Sequence, residues 1–123
     1  MICKELLHEN LGVKGDNLTF AGYDTVELAK KHGTALYLID ENRIRNNARI
    51  YIDAMKKYFG GESGPLFASK SLCFTEIYRV IASEGMRTDI VSPGELYIAL
   101  RAGFPMENAF FHGNNKTDED IAY

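Results

Sequence analysis

Three residues could do chemistry because of where they fall: Lys70, Asp89 and His112 each lie at or just past a short apolar run. Lys70 ends Pro65-Leu66-Phe67-Ala68-Ser69-Lys70, Asp89 lies in Thr88-Asp89-Ile90-Val91 ahead of Ser92, and His112 follows Ala109-Phe110-Phe111 and precedes Gly113-Asn114-Asn115-Lys116. A lysine at the carboxyl end of a buried strand is costly as a cation and cheap as a neutral amine or an imine, because desolvation lowers its pKa. That is the environment of a Schiff-base lysine. An amine, a carboxylate and an imidazole around one rim suit chemistry on a carbonyl or an imine. Each residue also has an ordinary reading: a solvated lysine, a solvated strand-end carboxylate, a structural histidine. Asp40 reads chiefly as a helix N-cap, and capping accounts for Ser92 and Glu95. No pair of His, Cys, Asp or Glu has metal-ligand spacing, so no metal is expected. Cys73 reads as core rather than nucleophile.

The elements that position these residues follow from the apolar periodicity. Met1 to Lys14 carries a weak helical pattern, Leu18-Thr19-Phe20-Ala21 a short strand, and Asp24 with Glu27 three residues on opens a helix closed at His32-Gly33. Ala35-Leu36-Tyr37-Leu38-Ile39 is continuous and apolar, the pattern of a fully buried strand. The helix after Asp40 has an inward stripe of Ile44, Ala48, Tyr51, Met55 and Tyr58. Its arginines and lysines (Arg43, Arg45, Arg49, Lys56, Lys57) read as a solvated face. Gly60-Gly61 ends it. The strand to Lys70, a helix from Leu72 to Ser83, and the strand Thr88–Val91 follow. Ser92-Pro93-Gly94-Glu95 then starts a helix with Leu96, Ala99 and Leu100 inward and Gly103 after it. The strand Ala109–Phe111 precedes a last helix beginning at Thr117. Strand and helix thus alternate four times, which argues for parallel strands joined by crossovers, in an open doubly wound sheet or a (β/α)8 barrel. The absence of Gly-x-Gly-x-x-Gly or a P-loop after the first strand weakens the nucleotide-binding sheet. In both architectures function gathers at the carboxyl ends of the strands.

Composition bounds the rest. The chain has 123 residues, a net charge of -3 and two cysteines, Cys3 and Cys73. It carries no basic footprint for nucleic acid or an anionic membrane. No apolar run approaches the roughly 20 residues that span a bilayer. The expectation is therefore a cytoplasmic protein with no nucleic-acid or membrane partner and no disulfide framework. The helix opening at Thr117 runs into Tyr123 after less than two turns, so a fragment of a longer protein is expected.

Taken together, Phe67-Ala68-Ser69-Lys70, Asp89-Ile90-Val91-Ser92-Pro93-Gly94-Glu95-Leu96 and Phe111-His112-Gly113-Asn114-Asn115-Lys116 resemble the N-terminal half of diaminopimelate decarboxylases. These belong with the ornithine and arginine decarboxylases to the fold-type III, pyridoxal-phosphate-dependent group. Ala21-Gly22 and Thr34-Ala35-Leu36-Tyr37 are similar to that family's lead-in to its first barrel strand. The resemblance implies the N-terminal half of a (β/α)8 barrel, with residues 1–34 as a lead-in of strand and helix and residues 35–123 as the first four β/α units. The remainder of the barrel and a β-rich domain lie beyond. It implies pyridoxal 5'-phosphate as cofactor, Lys70 as the catalytic lysine bonded to it, and Asp89 and His112 as further cofactor-binding residues. The implied reaction is decarboxylation of meso-2,6-diaminopimelate to L-lysine by a full-length homodimeric parent, with the 123-residue chain itself inactive. The phosphate cradle and the partner of the pyridine nitrogen are not found in this stretch. Two other readings stay open: a decarboxylase of ornithine, arginine or lysine, and a non-catalytic barrel relative acting by partner binding.

Overall fold

The computed structural model describes residues 8–123, which divide into two compact units, one ending at Glu41 and the other Asn42–Tyr123. In the first, β1 (Leu11–Lys14), β2 (Asn17–Phe20) and β3 (Tyr23–Asp24) form an antiparallel meander in that order. Lys14 pairs with Asn17 across the two-residue turn Gly15-Asp16, and Phe20 pairs with Tyr23 across Ala21-Gly22. Both residues of the second turn have positive φ, 49° and 84°, which matches its twist to that of the flanking strands. The helical pattern expected over Met1–Lys14 is therefore a strand at Leu11–Lys14, because the Gly15-Asp16 reversal brings Leu11 opposite Phe20. Residues 1–7 of that pattern lie outside the described residues. Helix α1 (Thr25–His32) starts as expected. Asp24 accepts hydrogen bonds from the Val26 and Glu27 amides, and Gly33 closes the helix by donating to the Ala29 carbonyl. A hydrogen bond from Asn17 is the main reason the Asp24 carboxyl lies below the usual carboxylate range.

Residues 36–40 form no strand, contrary to the expectation for Ala35–Ile39, and Tyr37 is 96% exposed. A strand exists only through a paired neighbour. Among the described residues the sheets run β1-β2-β3 and β4-β5-β6, and neither includes this segment.

In the second unit β4 (Leu66–Ala68), β5 (Arg87–Ile90) and β6 (Ala109–Phe111) are parallel and adjacent in that order. The register sets Ala68 opposite Asp89, and Asp89 opposite Phe110. Successive side chains point to opposite faces. Thr88 and Ile90 are fully buried, whereas Arg87 and Asp89 keep partial exposure on the other face. The connecting helices, α3 (Thr75–Ser83) and α4 (Pro93–Ala102), supply the core. Ile77, Tyr78 and Ile81 of α3 pack with Met86, Ile90, Ala99 and Phe104, and the Tyr78 and Phe104 rings meet edge to face at 5.8 Å. Burying an isoleucine of this kind contributes about 2 kcal/mol. Ser92 caps α4 through the Glu95 amide, and Gly103 ends it in the left-handed region at φ 74°. Leu100, expected to face inward, is 49% exposed; the chain reversal after Gly103 instead buries Phe104. Helix α5 (Asp118–Ala122) opens with a reciprocal capping box between Thr117 and Asp120.

Helix α2 (Glu41–Phe59) buries Ala48 and packs Ile44 and Ile52 on the same core. Tyr51 and Tyr58, expected on its inward stripe, are 64% and 69% exposed. Nor are all of its basic residues a solvated face. Arg45 and Arg49 converge on Glu84, each at 2.7 Å, and tie α2 to the end of α3. No helix of the described residues is long and apolar enough to cross a membrane.

Candidate active site

The carboxyl ends of β4, β5 and β6 bring Lys70, Asp89 and His112 onto one rim of the second unit. β4 stops at Ala68, and Ser69–Ser71 make a 3-10 turn in which Leu72 N donates to Ser69 O at 3.1 Å. Ser71 Oγ donates back to Ala68 O at 2.8 Å. Because the chain leaves the sheet two residues before the lysine, Ser69 takes the buried position, with no exposed surface, and Lys70 is exposed. The buried, desolvated lysine expected from the sequence is thus corrected: the amine is reached from solvent.

Asp89 is held by the ladder on both sides, and its side chain retains only 19% exposure. Its Oδ1 is buried and accepts no hydrogen bond. His112 Nδ1 lies 3.9 Å from that oxygen, too far for a hydrogen bond. The histidine backbone continues the β5–β6 ladder by donating from its amide to Ile90 O at 2.8 Å, while the ring is 69% exposed. A buried carboxylate oxygen without a donor is costly to maintain. A ligand N–H or a protonated nitrogen entering the rim would satisfy it. The donor set therefore fits a group that offers a carbonyl carbon to the Lys70 amine and a donor to Asp89.

Other candidates are already engaged. Lys116 Nζ donates to Gly113 O at 2.9 Å and lies 4.6 Å from the Phe111 ring centroid. Glu95 accepts from the Val91 amide at 2.6 Å, just before the helix, and Ser92 Oγ accepts from the Glu95 amide at 3.3 Å and caps α4. Asp40 belongs to the first unit, where it accepts from Asn10. Burial pushes the Cys73 thiol up, away from the thiolate a nucleophile needs. No group of three or more His, Cys, Asp or Glu able to hold a metal occurs among the described residues.

The sequence reading assigned nothing to two residues beneath the rim. Ser69 Oγ donates to Asp89 O at 2.7 Å, and Tyr78, wholly buried, sets its hydroxyl 3.9 Å from Cys73 Sγ. Burial pushes the Tyr78 phenol up to about 12, with a hydrogen bond to Ser69 opposing the rise. The available signal was the hydroxyl of Ser69 at the position where the period-2 alternation of the strand requires an inward side chain.

The family model for the pyridoxal-dependent decarboxylase, pyridoxal binding domain, matches residues 43–123. This chain belongs to that family. Among its relatives, the diaminopimelate decarboxylase of Bacillus methanolicus is 40% identical over 105 residues, 85% of this chain and 24% of that protein. That of Methanocaldococcus jannaschii is 38% identical over 117 residues, 93% of this chain and 27% of that protein. The chain thus spans about a quarter of the length of the curated relatives it matches. A crystal structure of the M. jannaschii diaminopimelate decarboxylase superposes with a TM-score of 0.79 at 35% identity, covering 93% of this chain and 27% of that one. Another, a co-complex with L-lysine, gives the same TM-score. As a pyridoxal-dependent decarboxylase domain, the chain folds as an N-terminal portion of the fold-type III barrel, and its cofactor is pyridoxal 5'-phosphate.

Proposed function

We propose that this segment supplies the lysine-bearing rim of a carboxy-lyase that decarboxylates meso-2,6-diaminopimelate to L-lysine, in a protein of its relatives' length. The observation that carries the reading is the convergence of Lys70, Asp89 and His112 at three adjacent parallel strand ends within the matched residues 43–123. Diaminopimelate decarboxylases at 38% and 40% identity, one of them crystallised with L-lysine, support the substrate. A homodimeric parent in the cytoplasm belongs to the same reading, with residues 1–34 leading into the barrel segment 35–123.

Lys70, Asp89 and His112 would hold the cofactor, which when bound supplies an electron sink for the pair released as the carboxylate departs as carbon dioxide. Lys70 contributes a solvent-reachable amine on a short turn, free to form and release a covalent bond to a carbonyl carbon. Asp89 Oδ1 accepts a hydrogen bond from a donor brought into the rim and favours a positive charge there. His112, exposed beside it, adds a ring nitrogen 3.9 Å from that oxygen, within reach of a group bound at the rim.

The test is borohydride trapping with pyridoxal 5'-phosphate, applied in parallel to the 123-residue chain and to a chain continued to its relatives' length. The modified lysine is mapped by mass spectrometry. Selective labelling of Lys70 in the longer chain, abolished in Lys70→Arg, is expected. Meso-diaminopimelate, and not ornithine or arginine, should then release carbon dioxide. A folded longer chain labelled at no single lysine, or at a different one, refutes the assignment.

A further inference from the structure

Ser69, next to Lys70 at the rim, is polar, wholly buried and bonded across to a neighbouring strand. The paired register of β4 with β5 runs through Leu66↔Arg87, Phe67↔Thr88 and Ala68↔Asp89 and then ends, because β4 gives way to the 3-10 turn. At that point the Ser69 hydroxyl takes over the role of a ladder amide, donating to the Asp89 carbonyl at 2.7 Å. Thr88, also wholly buried, makes the opposite link one step earlier, donating from Oγ1 to Phe67 O at 3.1 Å. Two buried hydroxyls therefore fasten the carboxyl end of β4 to β5. The second fastener sits immediately before Lys70, and its acceptor is the backbone of Asp89.

We infer that Ser69 is a positioning residue: its hydroxyl pins the start of the Lys70 side chain to the strand that carries the Asp89 carboxylate. This rests on the reading of Lys70 as the cofactor lysine. A lysine has a flexible four-carbon stem, and an exposed one searches a wide volume. Fixing its Cα relative to Asp89 concentrates the amine near whatever Asp89 holds, and small losses of such alignment reduce rates severalfold or more. The turn alone does not set that direction. Its internal bonds, Leu72 N to Ser69 O and Ser71 Oγ to Ala68 O, lie within the β4–turn segment, whereas the Ser69 hydroxyl bond runs across to β5.

The experiment compares Ser69→Ala, Ser69→Thr and Ser69→Val, each checked for folding by circular dichroism. Threonine keeps the hydroxyl; valine has the same shape without it. The first measurement, on the 123-residue chain without cofactor, is amide hydrogen exchange at Lys70, Ser71 and Leu72. It should speed about tenfold in the alanine and valine variants and stay near wild type in threonine. The second, on the longer chain, is the share of borohydride-trapped pyridoxal phosphate found on Lys70 relative to the other lysines of the same sample. That share should fall about five- to tenfold with alanine and valine and recover with threonine. General destabilisation would change labelling at all lysines, whereas loss of positioning falls on Lys70 alone. Unchanged exchange in Ser69→Ala overturns the pinning. Unchanged labelling in Ser69→Ala and Ser69→Val, with Lys70 labelled in wild type, overturns the positioning role. Failure of wild type to label Lys70 overturns the cofactor reading instead, and the exchange measurement then decides on the pin by itself.

Discussion

Raising the pH should destabilise this protein through one buried phenol, and Tyr78→Phe should remove that weakness. Tyr78 has no exposed surface, and its pKa rises from the ordinary 10.0 to about 12 chiefly because burial penalises the phenolate. A group whose folded pKa lies above its unfolded one stabilises fully below the unfolded value and loses that contribution as pH climbs toward the folded one. The loss therefore begins near pH 10 and is complete near 12. At pH 11 it amounts to about 1.4 kcal/mol, and across the window to roughly 2–3 kcal/mol. At neutral pH the substitution itself should cost no more than about 1 kcal/mol. The hydroxyl lies against the weakly bonding Cys73 thiol and Ser69, and Ser69 keeps its bond to Asp89. The ring, retained in phenylalanine, still meets Phe104 edge to face. Urea titrations at pH 7, 9, 10 and 11, followed by circular dichroism, give both comparisons. Burial raises the Cys73 thiol as well, but that change is common to the two proteins and drops out of the difference. The variant should be the less stable protein at pH 7 and the more stable one at pH 11. Parallel loss of stability in both proteins from pH 9 to 11 would refute the claim that the fold holds this phenol neutral.

Two further predictions concern the packing beneath the rim. The Arg49 and Arg45 guanidiniums hold the Glu84 carboxyl below its usual 4.5, so its contribution is present above that pH and is lost as pH falls through the folded value. Glu84→Gln should lower the urea midpoint at pH 7 and leave it closer to wild type at pH 3.5; equal differences at the two pH values would contradict the pairing. Gly103 sits at φ 74°, so Gly103→Ala should cost about 1 kcal/mol and lower the thermal midpoint by several degrees; an unchanged melt would show that the cap relaxes freely.

Where local chemistry decides an element, the sequence was legible. Ser92 with Pro93, Asp24, Thr117 and the closing glycines mark helix ends by hydrogen bonds that form within four residues, and they lie where the chain text indicates. The Gly15-Asp16 reversal is a glycine-containing two-residue turn, but the weak helical pattern over Met1 to Lys14 points away from a strand before it. Ala35–Ile39 shows the limit of apolar continuity: it reports a preference for burial, while a strand requires a partner. Lys70 was found by its place after β4, yet its environment was misjudged by the geometry of one turn. Ending the strand at Ala68 passes burial to Ser69 and exposes the lysine. Arg45 and Arg49 were read as solvent-facing because nothing local announces a carboxylate on another helix, at Glu84.

The spacing of the parallel sheet has a consequence for synthesis. Leu66 lies opposite Arg87 and Thr88 opposite Ala109, so each strand meets its neighbour after one helix and an equal stretch of chain. No pairing in this sheet waits for a distant segment. The block from β4 to β6 can assemble in order as it leaves the ribosome, each helix closing over a strand pair before the next strand arrives.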